Sequence, residues 1–203
     1  MSQLSKTNES NPFLFDWCRM SCSSLHPCGE IEMAEKMSQW QVATAAEALA
    51  AAQFARFGWD VSVQYGANLP EFDLVVTRGD AMLKVSVKGS QDGGWGLTQS
   101  FLKNADYHAA ADVWLKRHGN KTVMCFVQFK GCEPTEMPRL YLATPTEVAA
   151  WLKHAADGRG DTVLREFHQW GPSAQAAGTV DEIPPDWKMD ASCIDRLLST
   201  LRA

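Results

Sequence analysis

The sequence predicts an α/β fold in which a mixed central β-sheet is flanked by helices. Helical apolar stripes alternate along the chain with short runs of alternating or continuous apolar residues. Glycine and proline residues separate these runs, as expected of turns. The predicted order of elements is therefore α-β-β-β-α-β-β-α-α, beginning near residue 38.

Composition narrows the class of protein. The chain has 203 residues, of which 45% are hydrophobic and 21% charged, as in ordinary globular domains. A net charge of −5 argues against a protein that coats nucleic acid non-specifically. The sequence shows no signal peptide and no apolar run long enough to span a membrane, which predicts a cytoplasmic protein without membrane contact.

The domain is expected to occupy residues 38–203, with a core over 38–155 and a C-terminal extension over 156–203. Residues 1–37 show no sustained periodicity, so we expect a loosely ordered or disordered leader.

The leader contains four soft metal ligands within eleven residues. These are Cys18, Cys22, His26 and Cys28. Their spacing lacks the two separated pairs of a common zinc module, which favours free thiols. A binding protein whose N-terminal thiols hold zinc stays open as an alternative.

The first helix is predicted to begin at Ser38, which forms a capping-box pair with Gln41, and to end at Gly58. Its apolar stripe consists of Ala43, Ala46, Ala50, Phe54 and Phe57. Glu47 falls inside this stripe, where an unpaired carboxylate is costly, unless it simply extends to solvent from the end of the stripe.

The strands follow in order. WDVSVQY is a short strand, and PEFDLVVTRGDAMLKVSVKGS is a hairpin with its turn at Gly79-Asp80. A glycine-rich loop, QDGGWG, precedes a helix over about 99–117. TVMCFVQF is a strand buried on both faces, and RLYLAT is the next strand.

Two helices end the chain. One begins at Thr144, with Pro145 in its first turn and Glu147 completing a capping box. A long connection over 157–188 leads to a short amphipathic helix from Asp190 to Leu201.

The hairpin register brings candidate site residues together. It places Asp73 opposite Ser86 and Glu71 opposite Lys88. Opposed side chains share a face, so we expect Asp73, Ser86 and Lys88 to cluster. Glu71 and Lys88 also fit an ordinary cross-strand ion pair.

Glu47 needs a compensating charge, which Lys88 or a divalent metal shared with Asp73 could supply. Carboxylate oxygens suit Mg²⁺ or Mn²⁺ rather than zinc. Lys88 could then position a water molecule or offset developing charge.

These segments resemble the PD-(D/E)XK nuclease superfamily, which has the restriction-endonuclease-like fold. The similarity covers residues 38–155 and lies in ATAAEALAAAQFARFGW, PEFDLVV and KVSVKGS. It implies an α-β-β-β-α-β core and a nuclease that hydrolyses DNA phosphodiester bonds with Mg²⁺ or Mn²⁺. It also implies Glu47 and Asp73 as metal ligands, Lys88 as the catalytic base, and a homodimer, since many such nucleases dimerise.

One departure concerns the acidic-X-Lys triplet, which here reads Ser86-Val87-Lys88. The remaining ligands would be Glu47, Asp73, the carbonyl oxygen of Val87 and waters, which suffices for one Mg²⁺. The departure motivates a second hypothesis, a catalytically degenerate nuclease-fold protein that binds DNA or a protein partner without cleavage.

Three residues just past the lysine are supporting candidates. Gln91 or Asp92 could replace the missing carboxylate. Trp95, in the glycine-rich loop, could stack on a nucleobase.

Overall fold

The structure is a computed structural model that describes residues 36–64, 72–118, 122–172 and 174–202. Predictions for nearly all of the 1–37 leader, its Cys18/Cys22/His26/Cys28 cluster and Glu71 lie outside the described residues. Within the described residues, no helix is long and apolar enough to cross a membrane.

Four α-helices and nine strands form the described part of the chain. The helices are α1 (Gln39–Arg56), α2 (Tyr107–Leu115), α3 (Pro145–His154) and α4 (Ala191–Arg202). The strands are β1 (Asp60–Val63), β2 (Leu74–Arg78), β3 (Ala81–Ser90), β4 (Gly94–Gly96), β5 (Thr122–Gln128), β6 (Arg139–Ala143), β7 (Val163–Arg165), β8 (Phe167–Gln169) and β9 (Val180–Glu182).

The main sheet has five strands in the order β1-β2-β3-β5-β6. β3 and β5 are parallel, and the other neighbouring pairs are antiparallel. This confirms the predicted mixed sheet flanked by helices. β5 is buried at every position, as its continuous apolar run predicts.

Helices cover both faces of this sheet. A first core cluster joins one face to α1 and α4, and it includes Phe54, Leu74, Val85, Val87, Cys125 and Ile194. A second core cluster joins the other face to α2, α3 and the small β4–β7 sheet, and it includes Trp95, Trp114, Met124, Phe126, Leu152 and Leu164. Alternate residues of β3 and β5 therefore serve different clusters, because successive side chains of a strand point to opposite faces.

The start of α1 is as predicted. The Ser38 hydroxyl accepts from the Gln41 N–H at 3.3 Å, and the Gln41 side chain accepts from the Ser38 N–H at 2.7 Å. The buried stripe differs in one place, since Val42 is buried and Ala43 is exposed. The Thr144–Glu147 capping box of α3 is likewise present.

Two predicted elements differ from the structure. The helix expected over 99–117 is interrupted, because Asn104 and Ala105 take φ angles of +51° and +57°. A 3-10 turn over Gln99–Phe101 precedes the break, and α2 begins after it with Asp106 as its cap. The connection over 157–188 contains the three short strands β7, β8 and β9.

Candidate active site

β3 extends past the start of β2, and this leaves an open sheet edge. The predicted hairpin register is confirmed from Leu74, opposite Val85, to Arg78, opposite Ala81. Gly79 turns the hairpin with a φ of +59°, which glycine adopts readily. β3 then continues to Ser90 paired with β5, whereas β2 contributes no partner beyond Val85. We call this edge of residues 86–90, beside the start of β2, the notch.

Asp73 lies at the inner end of the notch. Its N–H donates to the Val85 carbonyl at 2.8 Å. The hairpin register, continued by one residue, would instead pair Asp73 with Ser86. Its carboxylate oxygen Oδ2 accepts from the Val87 N–H at 2.6 Å. The carboxylate thus takes the hydrogen-bonding place of a neighbouring strand. Because the N–H and C=O of one strand residue point to the same side, the Val87 carbonyl is also directed towards the notch.

The prediction that Asp73 and Ser86 share a face of the sheet is wrong. The Asp73 carboxylate lies in the hydrogen-bonding direction of the sheet, where it reaches the Val87 N–H. Ser86 is only 3% exposed and pairs with Met124, a member of the second core cluster. The one-residue offset at Asp73 is the physical reason, since it removes Asp73 from the face alternation of the ladder.

Gly89 lets α1 approach this edge closely. A Cβ at position 89 would lie 2.8 Å from the Val42 side chain and 2.9 Å from the Ala46 side chain. The contact fixes the helical turn that carries Glu47 against the end of β3. Sequence reasoning did not single out Gly89, although the glycine directly after Lys88 was the available signal.

Two charges of the predicted site, those of Asp73 and Lys88, act on the Glu47 carboxyl. Burial raises the pKa of the Glu47 carboxyl, the charge of Asp73 raises it further, and the charge of Lys88 opposes both. Asp73 also raises the pKa of the buried Cys125 thiol, after the larger effect of burial. Glu47 is half-buried and Lys88 is exposed. The Glu47 carboxyl is therefore partly shielded from solvent, whereas the Lys88 ammonium is open to it.

Gln91 and Asp92 are committed elsewhere. The Gln91 side chain accepts from the Met37 N–H at 3.1 Å and donates to the Met37 carbonyl at 2.7 Å. Asp92 forms an ion pair with Lys36 at 2.8 Å. Both side chains therefore contact the two residues that precede the cap of α1, and their role as substitute ligands stays a prediction. Residues 36 and 37 belong with the domain rather than with the predicted leader.

Trp95 is buried, which corrects its prediction as a stacking residue. It lies in β4 opposite Leu164 and is 3% exposed. Its ring lies 5.2 Å from that of Phe126 and 6.3 Å from that of Tyr141. The glycines beside Trp95 form a strand because Gly94 and Gly96 pair with β7.

The donors at the notch suit one hard divalent cation. Among the described residues, no group of three or more His, Cys, Asp or Glu side chains could hold a metal. The notch offers two carboxylates, Glu47 and Asp73, and the Val87 carbonyl. Mg²⁺ binds through one or two carboxylates and keeps several waters, so this set fits it.

Comparisons with known proteins give one similarity. No family model and no curated protein matches the chain. Among solved structures, the chain is similar to the bacterial homing endonuclease I-Ssp6803I, with 15% identity and a TM-score of 0.41. The alignment covers 82% of this chain and 96% of that one.

Proposed function

We propose that this protein is a Mg²⁺- or Mn²⁺-dependent nuclease that hydrolyses DNA phosphodiester bonds at the notch. The observation that carries the proposal is the arrangement of Glu47, Asp73 and Lys88 at an open strand edge. Burial and the charge of Asp73 raise the pKa of the Glu47 carboxyl. A purely structural acid would be expected to have hydrogen-bond donors that lower its pKa, so the raised pKa favours a functional role. The resemblance to PD-(D/E)XK nucleases assigns chemistry to the same three residues.

Glu47, Asp73 and the Val87 carbonyl would hold the metal. Bound there, the ion would polarise a phosphate oxygen and lower the pKa of a water molecule. Asp73 has a fixed orientation, since its other interaction is the 2.6 Å bond from the Val87 N–H. Gly89 and the α1 contact position Glu47.

Lys88 is exposed, and its positive charge acts on Glu47, so it is available to a phosphodiester bound there. It orients the attacking water and offsets the developing negative charge, and the resemblance to PD-(D/E)XK nucleases implies it as the catalytic base. Water adds to phosphorus, the bond to one ester oxygen breaks, and that oxygen leaves with a proton. The homodimer that the resemblance implies stays a prediction.

A nuclease-fold protein that binds DNA or a protein partner without cutting is the second candidate. Ser86 favours it, because the position of the usual acidic residue is neutral and only 3% exposed. One metal with two carboxylate ligands still permits hydrolysis, so a cleavage assay separates the two functions.

The assay measures cleavage of plasmid and linear DNA with Mg²⁺, Mn²⁺ or EDTA. We expect metal-dependent cleavage by the natural chain and a loss of roughly a hundredfold or more in Asp73→Asn, since metal-mediated charge stabilisation contributes several kcal/mol. Asn keeps an oxygen that can accept from the Val87 N–H, so the fold is retained. Asp60→Asn, at an exposed position of β1, is the matched control and should cut normally. Metal-dependent cleavage that survives in Asp73→Asn would contradict the assigned site, and no cleavage by the natural chain would favour the binding protein.

A further inference from the structure

A second group of cations lies in the C-terminal extension, outside the notch. Two guanidinium groups lie over the ring of Trp170, that of Arg159 at 5.0 Å and that of Arg165 at 5.5 Å. Arg159 also lies 5.0 Å from the ring of Tyr107, at the start of α2. We call these four residues the arginine platform.

The platform is anchored by a buried carboxylate. Asp181 is 6% exposed and accepts from the Trp170 indole N–H at 2.8 Å. The same carboxylate accepts from the Ala156 N–H at 3.0 and 3.3 Å. One acid therefore fixes both the ring and the beginning of the loop that carries Arg159, so the guanidinium is held in place before any ligand arrives.

That loop is strained. Ala156 and Asp157 take φ angles of +55° and +56°, and Gly158 and Gly160 take +80° and +91°. Left-handed alanine and aspartate are costly, and such positions persist where surrounding contacts enforce them, often at functional sites. Here the loop is held against α2, because the Gly158 carbonyl lies 2.9 Å from His108 Nε2 and a Cβ on Gly160 would lie 2.7 Å from the Tyr107 Cβ.

The two arginines differ in charge balance. Arg165 pairs with Asp161 at 2.9 Å, so its charge is neutralised locally. Arg159 donates through Nε to the Gly160 carbonyl at 3.3 Å, and among the described residues no carboxylate forms an ion pair with it. A stacked guanidinium with free terminal N–H groups and no counter-ion is a preorganised site for a bidentate anion.

A chain of contacts links the platform to the notch. β4 follows β3 directly and pairs with β7, where Gly94 is opposite Arg165. The Lys130 side chain lies against Gly93, with its ammonium 3.1 Å from where a Cβ would stand. Lys88 pairs with Phe126 of the second core cluster, on the face that β4 and β7 cover. Contacts therefore run from β3, which carries Lys88, through Gly93 and Gly94 to Arg165, which shares the Trp170 ring with Arg159.

We propose that the arginine platform binds the phosphate backbone of the nucleic acid strand whose phosphodiester lies in the notch. The inference rests on the proposed function for the identity of the ligand. Arg159 is the main contact, Trp170 and Tyr107 orient it, and Lys130 bridges the gap to Lys88. Contacts of this type fix register and orientation without reading sequence.

The test measures affinity of the full chain for a short DNA duplex in EDTA, which prevents metal-dependent cutting, over a series of KCl concentrations. We expect Arg159→Gln to weaken binding about tenfold, as loss of a charge-assisted contact does. The slope of log affinity against log salt should fall by about 0.9, the loss of one phosphate contact. Arg117→Gln is the matched control, because Arg117 stacks on Phe101 at 4.5 Å in the same way beyond the other end of α2. It should change neither quantity.

Thermal unfolding checks that every variant is folded. Arg159→Lys is a second, more conservative variant at the same position. Lysine keeps the charge but not the planar fork, so the salt slope should persist while affinity falls severalfold. Equal effects of Arg159→Gln and Arg117→Gln, or wild-type affinity in Arg159→Lys, would overturn the platform as a specific contact. Competition by polyglutamate as effective as that by DNA would overturn the nucleic-acid assignment in favour of an acidic protein partner.

The outcomes for the two proposals are separable. Cleavage with Mg²⁺ together with binding that ignores Arg159 retains the nuclease and overturns the platform. Arg159-dependent binding without cleavage under any metal retains the platform and overturns the nuclease. A chain that binds no DNA overturns both.

Discussion

Two glutamates of this protein occupy opposite electrostatic environments. Burial tends to raise the pKa of Glu166, but hydrogen bonds from Arg139 and Tyr141 outweigh it and hold the pKa below its usual value. Arg139 donates twice to Glu166, at 2.6 and 2.9 Å, and the Tyr141 hydroxyl donates at 2.7 Å. For Glu47, burial and the neighbouring Asp73 both raise the pKa. Glu166 accepts three hydrogen bonds and stabilises the fold. The charge of Glu47, in contrast, would be stabilised by a bound cation.

A third carboxylate at the notch should increase the repulsion between acids that already raises the pKa of Glu47. Ser86→Glu places an acid at a position that is 3% exposed and shares a face with Lys88, two residues away. Without metal we expect unfolding free energy to fall by about 3 kcal/mol, the effect of burying an unpaired charge. Millimolar Mg²⁺ should restore part of the loss through linkage, if the new carboxylate reaches the ion.

Thermal unfolding with and without Mg²⁺ measures this effect. Ser86→Gln is the control, because glutamine matches glutamate in size but carries no charge. It should show no added dependence on Mg²⁺. If Ser86→Glu depends on Mg²⁺ no more than the natural chain does, position 86 does not border the metal site.

Removal of the Glu166 charge should cause the second largest loss of unfolding free energy. Glu166→Gln loses the ionic part of three hydrogen bonds and turns an amide towards Arg139. We expect a loss of about 2 kcal/mol, below the value for a fully buried pair because Arg139 is partly exposed. Urea unfolding at pH 7 measures it, with Glu182→Gln on the exposed side of β9 as the control.

The sign of the pH dependence follows from the lowered pKa. The stability that Glu166 contributes is present above its unfolded pKa and is lost as pH falls through the lower folded pKa. The difference between Glu166→Gln and the natural chain should therefore shrink in acid. A constant difference down to pH 2 would contradict the donor-saturated description.

The opposite sign is expected for Glu47. Its folded pKa is above the unfolded value, so its contribution to stability is fully present below the unfolded pKa and is lost as pH rises through the folded pKa. Glu47→Gln should accordingly be more stable than the natural chain at pH 7, by about 0.5 kcal/mol after solvent screening. Thermal unfolding from pH 3 to pH 8 should show the gain vanishing in acid. A less stable Glu47→Gln at pH 7 would mean that Glu47 is a structural ion-pair partner of Lys88.

Sequence reasoning could reach the notch because local rules fixed most of it. The Gly79-Asp80 turn fixed the hairpin register, and the apolar stripe of α1 drew attention to Glu47. It could not anticipate the one-residue offset at Asp73, since a side chain that replaces a backbone partner leaves no periodic signal. Trp95 was misjudged for a related reason, because flanking glycines are compatible both with a loop and with a short strand in close contact with another backbone.

The arginine platform was beyond the reach of sequence reasoning altogether. Tyr107 is far in the chain from Arg159 and Trp170, and the 157–188 segment showed no period strong enough to place its short strands. Asp181 joins Trp170 to the Arg159 loop only through tertiary contacts. Residues of this kind become visible as a group only when the fold is known.

The last expected effect concerns the start of the described domain. Because the sequence of residues 1–35 predicts no periodic element, we expect deletion of these residues to leave the unfolding free energy unchanged within about 0.5 kcal/mol. Deletion of residues 1–37 also removes the paired bonds between Met37 and Gln91 and the exposed Lys36–Asp92 ion pair. We expect that shorter chain to remain folded, because Ser38 still caps α1, and to lose about 1 kcal/mol. The same contacts hold the beginning of the helix that carries Glu47, so Mg²⁺ should stabilise the 1–37 deletion less than the 1–35 deletion. Equal stability and equal Mg²⁺ response of the two chains would show that Gln91 has no part in positioning Glu47.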